Sequence, residues 1–210
     1  MDKQQKKQLL QAMEKAICEK SFYEFFIRAF EIAEPSVPIS VNFHHKYLCD
    51  ILQAEAERIK DNRPKDKDII INIPFRSSKS LLVTVLFPAW CWAVYPKMRF
   101  ITASYSADIS IEHATKSRDI INSEWYQKHW GETFQIKKDQ NLKARYENNY
   151  LGSRRATSVG GSVTGQGGDI ILVDDPTSPK NAASQIEREN ANEWYKSTLY
   201  SRLNNPTTGV

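Results

Sequence analysis

The chain has 210 residues, a mass of 24.2 kDa and a formal charge of +4. This size suits one α/β domain with a modest extension, and such a domain can bury a core without metal or disulfide support. No run of about 18 apolar residues occurs and the first eight residues are polar, so neither a membrane span nor a secretory leader is expected. The three cysteines include no CxxC pair, which favours reduced thiols, and the mildly basic balance permits contact with phosphates without establishing it.

Apolar residues recur at helical spacing through the first part of the chain. Residues 3–34 predict two helices with a break near Lys20, and residues 44–59 predict a third. The polar run KDNRPKDKD follows, and it ends an N-terminal helical segment that we assign to residues 1–62. The remaining residues, 63–210, are predicted to form the core domain.

A different pattern begins at Asp68. The run IIINIP is short, apolar and rich in β-branched residues, with charge before it and Pro74 at its end, which is typical of a buried parallel strand. Helix and strand patterns then alternate: helices at 81–94 and 107–121, strands at 100–103, 150–156 and 169–173, and a glycine-rich loop at 160–168. This alternation predicts an α/β fold with a mainly parallel central sheet flanked by helices. The tryptophans are predicted to be core residues rather than platforms for nucleobases.

Two segments carry the predicted chemistry. In INIPFRSSKSLLV a strand pattern leads through a polar loop to Lys79 and Ser80 at the start of a helix. In P-loop enzymes this arrangement surrounds nucleotide phosphates with backbone amides and a lysine, while the hydroxyl binds Mg²⁺. In DIILVDDP a later strand ends on Asp174 and Asp175. Asp174 is therefore the predicted metal residue together with Ser80, Asp175 is the predicted catalytic residue that orients the attacking water, and ATP and Mg²⁺ are the expected ligands.

The loop departs from the consensus G-x-x-x-x-G-K-[ST], because Ile73 and Ser78 stand at the two glycine positions. Glycine there allows unusual backbone dihedrals and a close approach to phosphate. An ordinary strand-to-helix turn capped by Ser77 or Ser78 would explain the loop without a ligand, and a solvated turn ended by Pro176 would explain the two acids. The order of the two segments along one α/β chain favours the phosphate-binding interpretation.

Five segments together resemble the large terminase family of tailed bacteriophages, and the likeness covers most of the chain: NFHHKYLCDIL, IPFRSSKSLLVTVLFPAW, FITASYSADISIEHATKSRDII, GGSVTGQGGDIILVDDP and ASQIERENANEWYKSTLYSRLNNPTTG. The resemblance implies the N-terminal ATPase domain of a DNA-packaging motor, with a P-loop NTPase fold of the ASCE type. It implies that the loop binds the nucleotide through Pro74, Phe75, Arg76, Ser77, Ser78, Lys79, Ser80 and Leu81. It also makes Arg76 a candidate catalytic contact to the γ-phosphate, with a surface arginine as the alternative.

In the family an arginine often stands at the position that Gln166 occupies here. The residue that would reach into a neighbouring subunit is therefore left open. Arg154 and Arg155 are candidates for this arginine finger, and a solvated basic pair is the alternative. His44 and His45 fall in the region that helps to hold adenine in the family. No acid or cysteine stands at zinc-site spacing from them, so packing or base contact is expected rather than metal binding.

The resemblance also implies partners: double-stranded DNA, a portal protein and a small terminase subunit, with a homo-oligomeric ring on the portal or a monomer in solution, no membrane, and a location in the host cytoplasm. After residue 210 the family continues with another core strand and a nuclease domain of ribonuclease H type, so nuclease activity is not expected from these residues. Two other functions stay open. One is a catalytically weak nucleotide-binding module that docks on portal or DNA, and the other is a helicase-like ATPase.

Overall fold

The computed structural model describes residues 2–163, 165 and 167–210, and it is a mixed α/β structure. Its helices are α1 (Lys3–Lys20), α2 (Phe22–Ala33), α3 (Phe43–Lys60), a π-helix (Leu81–Leu86), α4 (Phe87–Val94), α5 (Ala107–Asn122), α6 (Glu124–Trp130), α7 (Gln185–Trp194), a second π-helix (Tyr195–Leu199) and a 3-10 turn (Tyr200–Arg202). Its strands are β1 (Phe100–Ser104), β2 (Ile136–Asn141), β3 (Arg145–Asn148), β4 (Ser153–Ser158) and β5 (Ile170–Asp174).

The N-terminal helices begin and end where local capping groups stand. The Asp2 side chain accepts a hydrogen bond from the Gln5 backbone N–H at 2.7 Å, and the Gln5 side chain accepts one from the Asp2 N–H at 3.0 Å, which forms a capping box for α1. Ser21 separates α1 from α2, and its hydroxyl accepts from the Glu24 N–H at 3.3 Å. The predicted break near Lys20 is confirmed, and so is the third helix.

The sheet has the order β2-β3-β4-β1-β5. Strand β1 pairs in parallel with both β4 and β5, whereas β3 pairs antiparallel with both β2 and β4. The predicted mainly parallel sheet is therefore wrong, because half of these pairings are antiparallel. Tight reversals connect β2, β3 and β4 in sequence, and a short connection permits only antiparallel pairing. In the last of these turns the Asn148 side chain accepts hydrogen bonds from the N–H groups of Tyr150 and Gly152.

The predicted strand at residues 68–74 is not formed, and this expectation was wrong. The segment follows α3 without joining the ladder of β5. Its apolar character comes from packing instead, because Ile71 and Ile73 lie partly buried against the main hydrophobic core. The strand predicted at 150–156 begins later, as β4, because the turn through Asn148 occupies its first residues.

One hydrophobic core joins the N-terminal helices to the sheet and its flanking helices. The ring centroids of Phe22 and Trp90 lie 5.2 Å apart, and those of Phe25 and Trp130 lie 5.6 Å apart. The indole N–H of Trp90 donates to the Cys18 carbonyl at 2.9 Å, so this buried polar group is satisfied. The expectation that tryptophans form the core is confirmed for the four that are buried: Trp90, Trp92, Trp130 and Trp194.

Along the ranges that the structure describes, no helix combines the length and the apolar character needed to cross a membrane.

The thiols of Cys18, Cys49 and Cys91 are free and fully buried. Burial raises the pKa of Cys18 to about 12 and the pKa values of Cys49 and Cys91 still further. Because the thiolate is the reactive form, we expect iodoacetamide to leave all three unlabelled in the folded protein and to label all three in urea. Mass spectrometry of the intact chain measures this, and rapid labelling without denaturant would contradict the described packing.

Candidate functional site

The carboxyl ends of two parallel strands meet at one edge of the sheet. Ser104, the last residue of β1, lies beside Asp174, the last residue of β5, and the Tyr105 N–H donates to the Asp175 carbonyl at 3.1 Å. Ligands of α/β proteins bind outside such strand ends. The two predicted acids therefore stand at the edge where a bound substrate is expected.

Lys79 bridges both acids from a position 96 residues earlier than Asp175. Its Nζ lies 3.2 Å from Asp174 Oδ1 and 2.6 Å from Asp175 Oδ1. The exposed fractions of the side chains are 24% for Lys79, 8% for Asp174 and 48% for Asp175. The ion pair of Lys79 with Asp174, the inner acid, is therefore shielded, whereas its ion pair with Asp175, the outer acid, faces solvent. Burial alone would lower the pKa of Lys79, but its hydrogen bond to Asp175 and the two negative charges together raise it. The ammonium therefore stays charged.

A cleft of about 610 Å³ lies beside this ion-pair cluster, a volume within the range typical of small-molecule sites. It is lined by residues 71–81 and by Asp175. All eight loop residues predicted to hold the nucleotide, residues 74–81, are therefore part of its wall. Phe75 and Arg76 are exposed at the cleft, which leaves the Arg76 guanidinium accessible to a ligand there.

The backbone at Ser78 has the conformation that favours glycine at one of the two consensus positions. Ser78 has φ 57°, in the left-handed region that glycine adopts most readily, and Arg76 has φ 64°. Ile73, at the other consensus glycine position, does not have a positive φ. The loop therefore adopts a glycine-type conformation at Ser78 without glycine, and Ile73 does not need one.

Two residues that sequence analysis missed lie behind the cluster. Thr84, in the first π-helix, donates from its hydroxyl to the Ser80 carbonyl at 2.6 Å. His113, on α5, has its Nδ1 3.1 Å from Thr84 Oγ1 and 3.9 Å from Asp174 Oδ2. Burial lowers the pKa of His113, although the nearby Asp174 charge opposes this change. The helical spacing of His113 with Ser110 and Ser117, which are both buried, is the signal that could have placed it against the sheet.

The candidate arginine fingers differ in position. Arg154 is buried under the first π-helix, where its guanidinium donates to the Thr84 carbonyl, so it cannot extend into a neighbouring subunit. Arg155 is half-buried and donates to the Ser162 carbonyl at 3.0 Å. Gln166 lies outside the described residues.

The two adjacent histidines have separate structural roles. His45 is buried, and its Nδ1 accepts from the Asn42 N–H at 3.0 Å in a capping box for α3. The Nε2 of His44 lies 3.3 Å from the Ser77 carbonyl, which connects the start of α3 to the loop of the cleft. A neutral or charged His44 with a proton on Nε2 donates this bond.

Mg²⁺ prefers oxygen ligands and is commonly held by one or two carboxylates together with substrate phosphates. Ser80 and Asp174 supply a hydroxyl and a shielded carboxylate close to the cleft, which fits this chemistry. Within residues 2–163, 165 and 167–210, no group of three or more His, Cys, Asp or Glu side chains could hold a metal by itself. The donor set therefore fits a metal that arrives with a phosphate ligand better than a permanent structural ion.

The site thus combines a cleft of small-molecule size, a shielded lysine and two carboxylates at the end of a parallel strand. In comparisons with known proteins, no protein-family model matches the chain, and no curated protein matches it.

Proposed function

We propose that this chain is the ATPase motor domain of a large terminase of a tailed bacteriophage. The observation that carries the proposal is the convergence of Lys79 with Asp174 and Asp175 beside the cleft of residues 71–81. A lysine at a helix start and two acids at a strand end are the groups that nucleotide hydrolysis by P-loop enzymes requires.

In the proposed reaction the loop amides and Lys79 hold the β- and γ-phosphates of ATP, and Arg76 contacts the γ-phosphate from the exposed side. Mg²⁺, when bound, would neutralise charge on the phosphate oxygens, and Ser80 and Asp174 are the residues that would hold it. Asp175 orients and polarises a water molecule. The water oxygen bonds to the γ-phosphorus as the bond to the oxygen between the β- and γ-phosphorus breaks. One proton of the water stays on the phosphate and the other is released to solvent, and ADP and hydrogen phosphate leave.

Binding of the nucleotide changes the partners of Lys79. In the structure its ammonium pairs with both acids. The phosphates of ATP compete for the same ammonium, and its transfer to them frees Asp175 to orient water. Hydrolysis and product release return Lys79 to the acids. The ion pairs of Lys79 therefore change with the bound nucleotide, and changes of this kind drive loop movement in nucleotide switches.

As a motor, the domain would act in a homo-oligomeric ring on a portal protein, with a small terminase subunit as a further partner, in the host cytoplasm. Basic side chains would grip the phosphate backbone of double-stranded DNA, so DNA binding should weaken as salt rises. Because Arg154 is buried, Arg155 is the better of the two finger candidates to complete a neighbouring site.

The test is Mg²⁺-dependent ATP hydrolysis by this chain at rising protein concentration. We expect turnover per chain to increase with concentration, because a finger residue from a neighbouring subunit completes each site. Asp175→Asn, which keeps the side-chain shape and removes its charge, should lower kcat about 100-fold or more. Asp169→Asn is a matched control at the other end of β5, and it should leave kcat unchanged.

Other outcomes separate the alternatives. Binding of Mg-ATP without turnover at any concentration would favour a nucleotide-binding assembly module, and a failure to bind Mg-ATP would exclude both. Separation of the strands of a DNA duplex during hydrolysis would favour a helicase-like ATPase over a packaging motor.

A further inference from the structure

The hydrogen bonds around Thr84 determine which nitrogen of His113 carries a proton. A hydroxyl has one hydrogen to donate, and the Thr84 hydroxyl donates it to the Ser80 carbonyl at 2.6 Å, since a carbonyl can only accept. The Nδ1 of His113, 3.1 Å from the same oxygen, must therefore donate to it. His113 is thus the tautomer with a proton on Nδ1, or the doubly protonated ion.

The same nitrogen also lies near Asp174, beyond hydrogen-bond distance in the empty site. Nδ1 lies 3.9 Å from Asp174 Oδ2, while the other oxygen, Oδ1, lies 3.2 Å from Lys79 Nζ. Of the two carboxylate oxygens of Asp174, Oδ2 is therefore on the side of His113 and Oδ1 is on the side of Lys79. A contact that is long in the empty site can shorten when the ligand is bound.

Thr84 is itself held from two directions. Its carbonyl accepts from the buried guanidinium of Arg154, and its hydroxyl is bonded to Ser80 and His113. A π-helix shifts the backbone hydrogen bonds from the α-helical pattern and often occurs at functional sites. The irregular helix therefore places Thr84 where it fixes the ring of His113.

We propose that His113 is a positioning residue that orients the Asp174 carboxylate toward the cleft. This inference rests on the proposed ATPase function, in which Asp174 is a metal residue. Groups that orient a metal-binding carboxylate without touching the metal commonly affect metal affinity or activity by about 10- to 100-fold when they are replaced.

The first test needs no catalytic activity. Nitrogen-15 NMR of the imidazole ring in the empty protein should find the proton on Nδ1 of His113. Asp174→Asn should shift the ring signals, and Asp175→Asn should shift them much less. A proton on Nε2 alone, or signals that ignore Asp174→Asn, would overturn the inference whether or not the chain hydrolyses ATP.

The second test uses turnover. His113→Phe should lower kcat about 10- to 100-fold and raise the Mg²⁺ concentration for half-maximal rate, with the KM for ATP nearly unchanged. His113→Asn should recover much of the rate, because its amide nitrogen stands near the position of Nδ1, whereas His113→Gln should not. Thr84→Val should weaken the effect of His113→Phe in a double-mutant cycle, since both remove one contact.

His129→Phe is the control for structural damage. His129 is another buried histidine, whose Nδ1 donates to the Trp125 carbonyl at 2.7 Å away from the cleft. Its replacement should lower thermal stability without changing kcat or the Mg²⁺ requirement. If His113→Phe folds and has the kcat of the unaltered chain, the positioning role is wrong; if the unaltered chain itself has no turnover, the proposed function fails, and the NMR test alone decides on His113.

Discussion

Replacement of Lys79 with alanine is expected to lower Mg²⁺-dependent ATP turnover by about 10²- to 10³-fold, the usual cost of losing one donor to developing negative charge. Lys79 pairs with both the predicted metal residue Asp174 and the predicted catalytic residue Asp175, and its side chain is largely shielded from solvent. In the proposed reaction its ammonium stabilises charge on the phosphate oxygens as the γ-phosphoryl group is transferred. Steady-state hydrolysis with saturating Mg-ATP measures the loss.

The same substitution has a predictable effect on the empty protein. Without Lys79, the carboxylates of Asp174 and Asp175 stand together with no ammonium between them. We expect the free energy of unfolding to fall by about 1–3 kcal/mol, because water screens the half-exposed Asp175 but not the shielded Asp174. Asp175→Asn in the Lys79→Ala background should recover part of this loss, which a double-mutant cycle in urea measures.

Lys65 provides a matched control. Its Nζ pairs with Asp68 Oδ1 at 2.8 Å, and Lys65 is not among the residues that line the cleft. Lys65→Ala should leave turnover unchanged. Equal losses from the two lysine variants would point to a general folding defect, and full activity in Lys79→Ala would rule out the proposed role of the lysine.

The helices up to residue 122 could be predicted because each signals itself locally, whereas α6 and α7 were not predicted. Apolar spacing and capping residues such as Ser21 lie within the helix or next to it. The failed strand at 68–74 shows the limit of this reasoning, since an apolar run indicates burial but not a pairing partner. Strand β2 was missed for the opposite reason. Its sequence IKKDQN is mostly polar, and only its hairpin with β3 makes it a strand.

Some residues of the candidate site could likewise be predicted from the sequence, and others could not. Lys79, Asp174 and Asp175 could be found because motif order along the chain predicts which strand end and helix start will meet. His113 and Thr84 belong to no motif, and they reach the site only through the packing of α5 on the irregular helix after Ser80. The exclusion of Arg154 as a finger likewise depends on its burial in the fold, which a basic pair in a polar-looking strand does not reveal.

Introducing glycine at Ser78 and at Ile73, the two consensus glycine positions, is expected to have opposite effects on stability. Ser78 has φ 57°, a conformation that costs a residue with a side chain about 1–2 kcal/mol. Glycine removes this strain but adds about 0.5–1 kcal/mol of unfolded-state entropy. Ser78→Gly should therefore raise the free energy of unfolding by about 0.5–1 kcal/mol. Ile73→Gly should lower it by about 2 kcal/mol or more, because it relieves no strain and removes a side chain packed against the core.

Ser77→Gly is the matched control, because it makes the same chemical change one residue earlier, where φ is not positive. It should lower the free energy of unfolding by about 0.5–1 kcal/mol. Urea titrations followed by tryptophan fluorescence measure all three variants against the unaltered chain. A loss of stability in Ser78→Gly equal to that in Ser77→Gly would show that Ser78 does not adopt the left-handed conformation. A gain in Ser78→Gly alone would mean that residue 78 already has the left-handed backbone before any ligand enters, with serine in place of glycine at a cost in stability.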